Sequence, residues 1–229
     1  MIPLKDDNKS RTFPYVTIAL LAANIAAFLY ELSLPPSAQE LLIYRMGLVP
    51  ADLTERLRPG GDFPVPLSLF TSMFLHGGLL HLAGNMLYLW IFGNNVEDEA
   101  GHLGFLVFYL LCGVAAAGTQ IVAAPASHVP MIGASGAIAG VLGAYMLLFP
   151  HARVLTLVPI IFYLRLMYLP AVVVLGLWFV YQVLLSAGTS GAPGGGVAFF
   201  AHIGGFVAGM LLIWLFRRSG RRRGDPYLA

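Results

Sequence analysis

Long runs of apolar residues, separated by short polar segments, dominate the chain. The runs are continuous, whereas a helix of a soluble protein shows apolar stripes at every third or fourth position. A helix needs about 20 apolar residues to cross a bilayer, and the alternation of a transmembrane barrel does not occur. The pattern predicts an all-α polytopic membrane protein with six spans. These are residues 13–34, 76–96, 103–123, 135–149, 168–186 and 197–216.

Segments rich in proline and glycine join the predicted spans. A long loop at residues 35–75 follows the first span and contains "SLPPSAQ" and "RPGGDFPVP", which interrupt regular structure. The segment "APASHVP" ends the third span, and "AGTSGAPGGG" separates the fifth from the sixth. We interpret residues 1–229 as a single membrane domain, and we find no internal repeat of the kind on which many transporters are built.

Composition and charge placement agree with a membrane protein. Hydrophobic residues make up 58% of the chain and charged residues only 10%, against roughly 25% charged in soluble domains. Basic residues precede the first span, and "RRSGRRR" directly follows the last one. Such clusters mark the cytoplasmic side of a membrane. We therefore expect both termini, with the basic tail at residues 217–229, in the cytoplasm, and no nucleic-acid partner.

Polar side chains within spans are costly and are functional candidates. His81 and Asn85 lie four residues apart in the second span and so share one helix face. Ser135 begins the fourth span at its outer end, and His202 lies near the outer end of the sixth. The predicted topology gives these four residues a common depth on three different helices.

The remaining histidines fit this site less well. His102 and His151 fall on the cytoplasmic side, roughly 30 Å from Ser135 across the hydrocarbon core. His128 lies on the outer side but in a loop, and His76 lies at the entrance to the second span.

The four candidates could together perform acyl transfer. A serine hydroxyl becomes nucleophilic when a base within hydrogen-bond reach accepts its proton, and histidine is the usual base. Asn amides, histidines and backbone N–H groups can stabilise the developing oxyanion. Ser135 at a helix start offers its own N–H, and Gly133 and Gly136 beside it allow close backbone approach.

The same residues also have a structural interpretation. A serine among glycines can serve close helix packing, and a buried histidine or asparagine can bond a neighbouring helix. Small residues at helical spacing predict packing seams on the fourth and sixth spans, namely Gly136, Gly140, Gly143, Gly205 and Gly209. The single cysteine, Cys112, excludes disulfide frameworks and cysteine-based metal sites. With no H-E-x-x-H motif, we expect neither a metal nor a cofactor.

Three motifs, taken together, resemble a known family. "TSMFLHGGLLHLAGN", "GASGAIAG" and "AHIGGFVAG" occur in that order on the second, fourth and sixth spans. This combination resembles the rhomboid intramembrane serine proteases, and the similarity runs from "GLVPADL" in the first outer loop to the last span. The resemblance implies a six-helix rhomboid bundle in the lipid bilayer that cleaves single-span membrane proteins near the outer end of their transmembrane segments.

The resemblance also implies a role for each matching residue. Ser135 would be the nucleophile and His202 the general base of a Ser-His dyad. His81 and Asn85 would form the oxyanion hole with the Ser135 N–H. His76 would give structural support to the first outer loop.

The chain differs from some family members at two places. The first outer loop lacks a Trp-Arg pair, and Ala139 stands where a tyrosine would stack on the histidine, so another group must pack against His202. Two alternative functions are an inactive relative that binds membrane proteins, and a transporter using the polar residues as a path. Against the second, the inner halves of the spans are apolar. The compact termini, with no targeting extension, favour a prokaryotic cell (inner) membrane.

Overall fold

The computed structural model describes residues 1–56, 67–160, 163–189 and 198–218, without the side chains of residues 56 and 187–189. Its helices are α1 (Tyr15–Ser33), α2 (Pro36–Met46), α3 (Pro50–Arg56), α4 (Ser68–Thr71), α5 (Leu79–Ala100), α6 (His102–Ala123), α7 (Ser135–Leu148), α8 (Ala171–Thr189) and α9 (Phe199–Phe216), with a 3-10 turn at Ser72–Phe74. The strands are β1 (Ile2–Asp6), β2 (Arg153–Ile160) and β3 (Tyr163–Pro170).

Apolar helices form the body of the protein. By length and composition, α1, α6 and α9 can each cross a membrane, whereas α7 and α8 are shorter apolar helices. The 22-residue α5 is less apolar because His81, Asn85 and Asn95 lie along it. The described part of the chain is therefore a mostly helical membrane bundle, and the count of six spans stays a prediction.

The helix α7 lies at the centre of the bundle, where it packs against α5, α6, α8 and α9. Its closest partner is α9, because glycines on both helices face each other. A Cβ on Gly205 would collide with the carbonyl oxygen of Gly136, and one on Gly209 with that of Gly140. These glycines are therefore a packing seam, as their spacing predicts.

The segment that the sequence suggests is a long loop, residues 35–75, contains the helices α2, α3 and α4. Pro36 begins α2, where its missing N–H is not needed. Between α2 and α3, Leu48 exchanges backbone hydrogen bonds with Met131, at 3.0 and 2.7 Å. This segment is thereby fixed to the loop that leads into Ser135.

Two helix boundaries also differ from the predicted spans. The helix α5 begins at Leu79, after the consecutive glycines 77 and 78, and continues to Ala100. It therefore includes acidic residues that the sequence places in a loop. The helix α8 begins at Ala171, so Tyr168, the predicted start of the fifth span, belongs to a strand instead.

The sheet at the end of α7 is the feature that the sequence analysis missed. The strands β2 and β3 form an antiparallel hairpin, and β1 pairs antiparallel with β2, which gives the order β1-β2-β3. Asp6 on β1 accepts hydrogen bonds from Tyr145 Oη at 2.6 Å and from Asn95 Nδ2 at 2.9 Å. The N-terminus of the chain is thus bound to the end of the bundle away from Ser135.

Candidate active site

Ser135 and His202 meet at the ends of two helices. Ser135 is the first residue of α7, and His202 lies one turn into α9. Its Nε2 atom is 2.7 Å from Ser135 Oγ. The glycine seam brings α7 and α9 close enough for this short contact, which has the geometry of a nucleophile and its base.

A glutamine and a tryptophan of α8 hold the His202 ring. Gln182 Oε1 lies 2.8 Å from His202 Nδ1, and both side chains are buried, 6% and 8% exposed. An amide oxygen only accepts, so this contact places the ring proton on Nδ1 and leaves the Nε2 lone pair facing Ser135. Trp178 packs against the same ring with centroids 5.8 Å apart, where the sequence offers only Ala139 in place of a stacking tyrosine.

The loop before Ser135 lies against His81 and Asn85. Gly133 adopts a φ of 120°, a conformation that L side chains rarely adopt. A Cβ at Gly133 would lie 2.8 Å from Nε2 of His81 and 3.6 Å from Nδ2 of Asn85. The Gly133 N–H donates to the Ser72 carbonyl oxygen at 2.8 Å, which fixes the loop. The backbone that leads into Ser135 is thus surrounded by hydrogen-bond donors.

His76 connects Asn85 to the first helix. Its Nε2 atom is 3.0 Å from Asn85 Nδ2, so the amide donates one hydrogen to this ring and keeps a second. The His76 N–H in turn donates to the buried Glu31 carboxylate of α1, at 3.2 Å to one oxygen. His76 therefore links α1 to Asn85.

A cavity with a volume of about 770 Å3 is lined by Ser135, His202 and Gln182, together with Trp178, His81 and Asn85. The walls come from α4, α5, α6, α7, α8 and α9, together with the loop before Ser135. Ser135 is partly exposed to it, whereas His202 is buried in its wall. The cavity has the size of a ligand site.

Of the site residues that the sequence predicts, His76 alone is not among the described residues that line the cavity. Ser135, His202, His81, Asn85, Gly133 and Gly136 all line the cavity. His128, His102 and His151 are not among its described lining residues. Gln182 was missed, although a polar residue in the apolar segment "WFVYQVLL" is itself a signal.

The segment between the fifth and sixth predicted spans, "AGTSGAPGGG", falls largely outside the described residues. The structure describes the backbone of residues 187–189 as the end of α8, and residues 190–196 lie beyond what it describes. The same holds for the basic tail after residue 218.

A family model and several known proteins that match this chain all carry the name rhomboid. A Rhomboid domain matches residues 66–219. Rhomboid-like protein 11, chloroplastic, of Arabidopsis thaliana is 31% identical over 169 residues, covering 69% of this chain and 55% of that protein. Rhomboid protein 1, mitochondrial, of Saccharomyces cerevisiae is 31% identical over 209 residues, covering 88% and 53%.

A bacterial relative matches over a shorter stretch. Rhomboid protease GluP of Bacillus subtilis is 44% identical over 78 residues, covering 34% of this chain and 15% of that protein. The chain spans about half the length of the first two relatives. Because those two carry organelle names, the expectation of a prokaryotic inner membrane gains no support from them. Since the Rhomboid domain extends over most of the chain and includes every residue that lines the cavity, the chain belongs to the rhomboid family of multi-pass membrane proteins.

Proposed function

We propose that this protein is an intramembrane serine endopeptidase that cleaves transmembrane segments of single-span membrane proteins near their outer end. The observation that carries the proposal is the 2.7 Å contact between Ser135 Oγ and His202 Nε2 at the wall of the cavity. The name of the Bacillus subtilis relative, a rhomboid protease, supports the same activity.

The nucleophilic step uses the dyad. Ser135 Oγ attacks the carbonyl carbon of the scissile peptide, and His202 Nε2 accepts the hydroxyl proton as the new C–O bond forms. The protonated ring then gives that proton to the leaving amine, which leaves an acyl group on Ser135. A water molecule, activated by the same ring, hydrolyses this ester and restores the serine.

The oxyanion of the tetrahedral intermediate would be held by three donors. The N–H of Ser135 is unused within α7, because the first N–H groups of a helix have no intrahelical acceptor. The second amide hydrogen of Asn85 and the ring of His81 approach the same loop. Donors fixed before the reaction stabilise developing charge without reorganisation.

Gln182 acts as a positioning residue in this mechanism. Its carbonyl oxygen keeps the His202 proton on Nδ1 and supports the imidazolium that forms when Nε2 accepts the serine proton. A neutral amide in this place is analogous to the asparagine of Cys-His-Asn proteases.

Cleavage requires that the substrate helix unwinds locally. A transmembrane helix hides its peptide groups in internal hydrogen bonds, so it must unwind before a carbonyl reaches Ser135. Substrates should therefore carry Gly or other helix-weakening residues near the cleaved bond. We further propose six spans with both termini in the cytoplasm, and substrate entry beside α8 with its Trp178 and Phe179.

The test is cleavage of a single-span substrate with a glycine-containing outer end by purified protein in detergent. Ser135→Ala and His202→Ala should each abolish cleavage while thermal unfolding stays unchanged. His128→Ala, which alters an exposed loop histidine, is the matched control and should cleave like the wild type. Cleavage that survives in Ser135→Ala would overturn the assignment of the nucleophile.

A second readout covers the case of a narrow substrate preference. A fluorophosphonate probe labels an activated serine without needing a protein substrate. Labelling of the wild type that disappears in Ser135→Ala and falls in His202→Ala would support the dyad. A wild-type protein that neither cleaves nor labels would point to the inactive relative.

A further inference from the structure

The three-stranded sheet has two faces of different character. On the inner face, Val154 and Thr156 of β2 are fully buried against the bundle, and Leu169 of β3 packs on the same core. Asp6 shares this face because it is paired with Val154. The inner face is therefore occupied by the protein itself.

The outer face is largely apolar and partly exposed, and its charged side chains are Lys5, which is paired with Leu155, and Arg153, which is paired with Pro170. In the antiparallel hairpin, Leu157 is paired with Leu166 and Leu155 with Tyr168, so these side chains point to one side. Leu166 and Tyr168 are 59% and 58% exposed. Ile2 of β1, paired with Leu157, extends this surface. A contiguous apolar surface on a sheet marks an interaction site.

The part of the hairpin furthest from the helices is exposed on both faces. Leu164, on the outer face, is 65% exposed, and Tyr163 and Met167, on the other face, are 67% and 37% exposed. Arg165 is the exposed charged side chain in β3. This part of the hairpin thus presents apolar side chains on both sides, with Tyr163 and Arg165 among them.

The chain connections place this hairpin beside the membrane. The strand β2 begins soon after α7 ends, and β3 runs directly into α8. The N–H of Ala171, the first residue of α8, donates to the Ala152 carbonyl oxygen at 2.8 Å, so the base of the hairpin stays at the helix ends. Those ends lie about 21 Å from Ser135, the length of a 14-residue helix.

We propose that the outer face of the sheet and the exposed part of the β2–β3 hairpin lie in the lipid bilayer, at the headgroup level on the side opposite Ser135. Lipid covers both faces of a projecting hairpin at once, whereas a protein partner would cover one. Tyrosine is enriched at membrane interfaces, where its ring is apolar and its hydroxyl is wet. Arg165 can extend its guanidinium to lipid phosphates while its stem stays in the apolar layer.

The proposal predicts where a nitroxide spin label senses oxygen and where it senses a water-soluble nickel reagent. Labels would be attached at Leu166→Cys on the outer face and Met167→Cys on the other face, in the full chain in vesicles. The native Cys112 is fully buried and stays in place. Leu211→Cys on α9, which is 69% exposed in an apolar helix, is the lipid reference, and Asp52→Cys on the exposed side of α3 is the water reference.

Both hairpin labels should give oxygen-to-nickel accessibility ratios several-fold above the Asp52→Cys value and close to the Leu211→Cys value. Ratios near the water reference at both positions would overturn the proposal. A low accessibility to both reagents at Leu166→Cys, with a water-like Met167→Cys, would instead indicate a protein partner on one face. If spin–spin broadening grew with the protein-to-lipid ratio, that partner would be a second copy. Helix content measured by circular dichroism checks that each variant is folded, and no part of this test requires proteolytic activity.

Discussion

At the end of the bundle where Ser135 lies, the polar side chains that line the cavity are neutral and make few hydrogen bonds, whereas at the opposite end carboxylates collect many donors. Ser135 Oγ and His202 Nε2 share one hydrogen bond, and the His202 ring makes one more, from Nδ1 to Gln182. Glu97, in contrast, accepts four hydrogen bonds, and Asp98 accepts three from residues 11 and 12. The groups with spare hydrogen-bonding capacity surround the cavity, and the saturated groups hold the chain together.

The contacts of Glu97 show how a carboxylate with many hydrogen-bond donors stabilises the fold. Its carboxylate receives the N–H groups of Val16 and Thr17 at 2.9 and 2.7 Å, the Thr17 hydroxyl at 2.7 Å and His102 Nδ1 at 2.6 Å. The start of α1, the end of α5 and the start of α6 therefore meet at one side chain. A group occupied in this way stabilises the fold but has no capacity left for a substrate, and the two ends should respond to mutation in different ways.

The largest expected effect is on stability, at the saturated end. Glu97→Ala should lower the free energy of unfolding by about 3–5 kcal/mol, because each buried donor left without an acceptor costs about 1–3 kcal/mol. Unfolding in mixed micelles measures this loss, with the exposed Glu40→Ala as control. The kcat of the molecules that remain folded should be close to wild type. A stable but inactive Glu97→Ala protein would contradict the division between the two ends.

The next effect is on catalysis, at the cavity end. Asn85→Ala should lower kcat about 10²–10³-fold, the typical cost of removing one oxyanion donor. Because His76 then loses only one hydrogen bond, the unfolding midpoint should fall much less than in Glu97→Ala. Asn94→Ala, on the same helix but away from the cavity lining, is the matched control. An unchanged kcat in Asn85→Ala would remove this residue from the oxyanion hole.

Gln182 should give a smaller effect on catalysis and a distinct pH response. Gln182→Met fills a similar volume but accepts no strong hydrogen bond from His202, and kcat should fall about tenfold for a lost contact of roughly 1.4 kcal/mol. Gln182→Glu restores an acceptor with a negative charge, which favours the protonated ring. The acid limb of the profile of kcat/KM against pH should therefore move to higher pH in Gln182→Glu. If wild type, Gln182→Met and Gln182→Glu gave the same profile of kcat/KM against pH, the role of Gln182 would be packing alone.

The smallest effect concerns the pH dependence of stability at the sheet. Burial raises the pKa of the Asp6 carboxyl above its ordinary value, even though the hydrogen bond from Tyr145 acts in the opposite direction. Protonation of Asp6 therefore favours the folded state, and this contribution is lost as the pH rises through the folded pKa.

Thermal unfolding of wild type and Asp6→Asn across the acid range tests this sign. The wild-type Tm should rise relative to that of Asp6→Asn as the pH falls from neutrality toward the ordinary carboxyl range. The opposite trend would show that the Asp6 hydrogen bonds outweigh its burial.

The sequence predicts the long apolar helices of this fold well because their signal is local, whereas it misses α2, α3 and α4. Continuous apolar runs mark the helices, and the glycine spacing marks the seam between α7 and α9. The order of the Ser135, His202 and Asn85 motifs identifies the rhomboid family, which the Rhomboid domain match confirms.

The parts that the sequence does not predict depend on contacts between distant residues. The strand β2 is a short apolar run next to other apolar runs, and periodicity alone does not separate such a strand from a helix. Its partner β1 lies about 150 residues away along the chain. The contact between His76 and Asn85 likewise depends on how the chain turns between them, which the motif does not encode. Gln182 is different. Its polar side chain stands out in an apolar segment of the sequence, but the sequence does not show that its partner is His202.

The length of α7 also sets the depth of Ser135 in the membrane. With 14 residues, this helix is about 21 Å long, against about 30 Å for the hydrocarbon core. If its far end meets one edge of that core, Ser135 lies about 9 Å inside the other edge, which is the rise of about six residues of a helix. Under the proposed function, the bond that is cut would lie about six residues inward from where a substrate enters the lipid, and a thicker or thinner bilayer would move the cut along the chain.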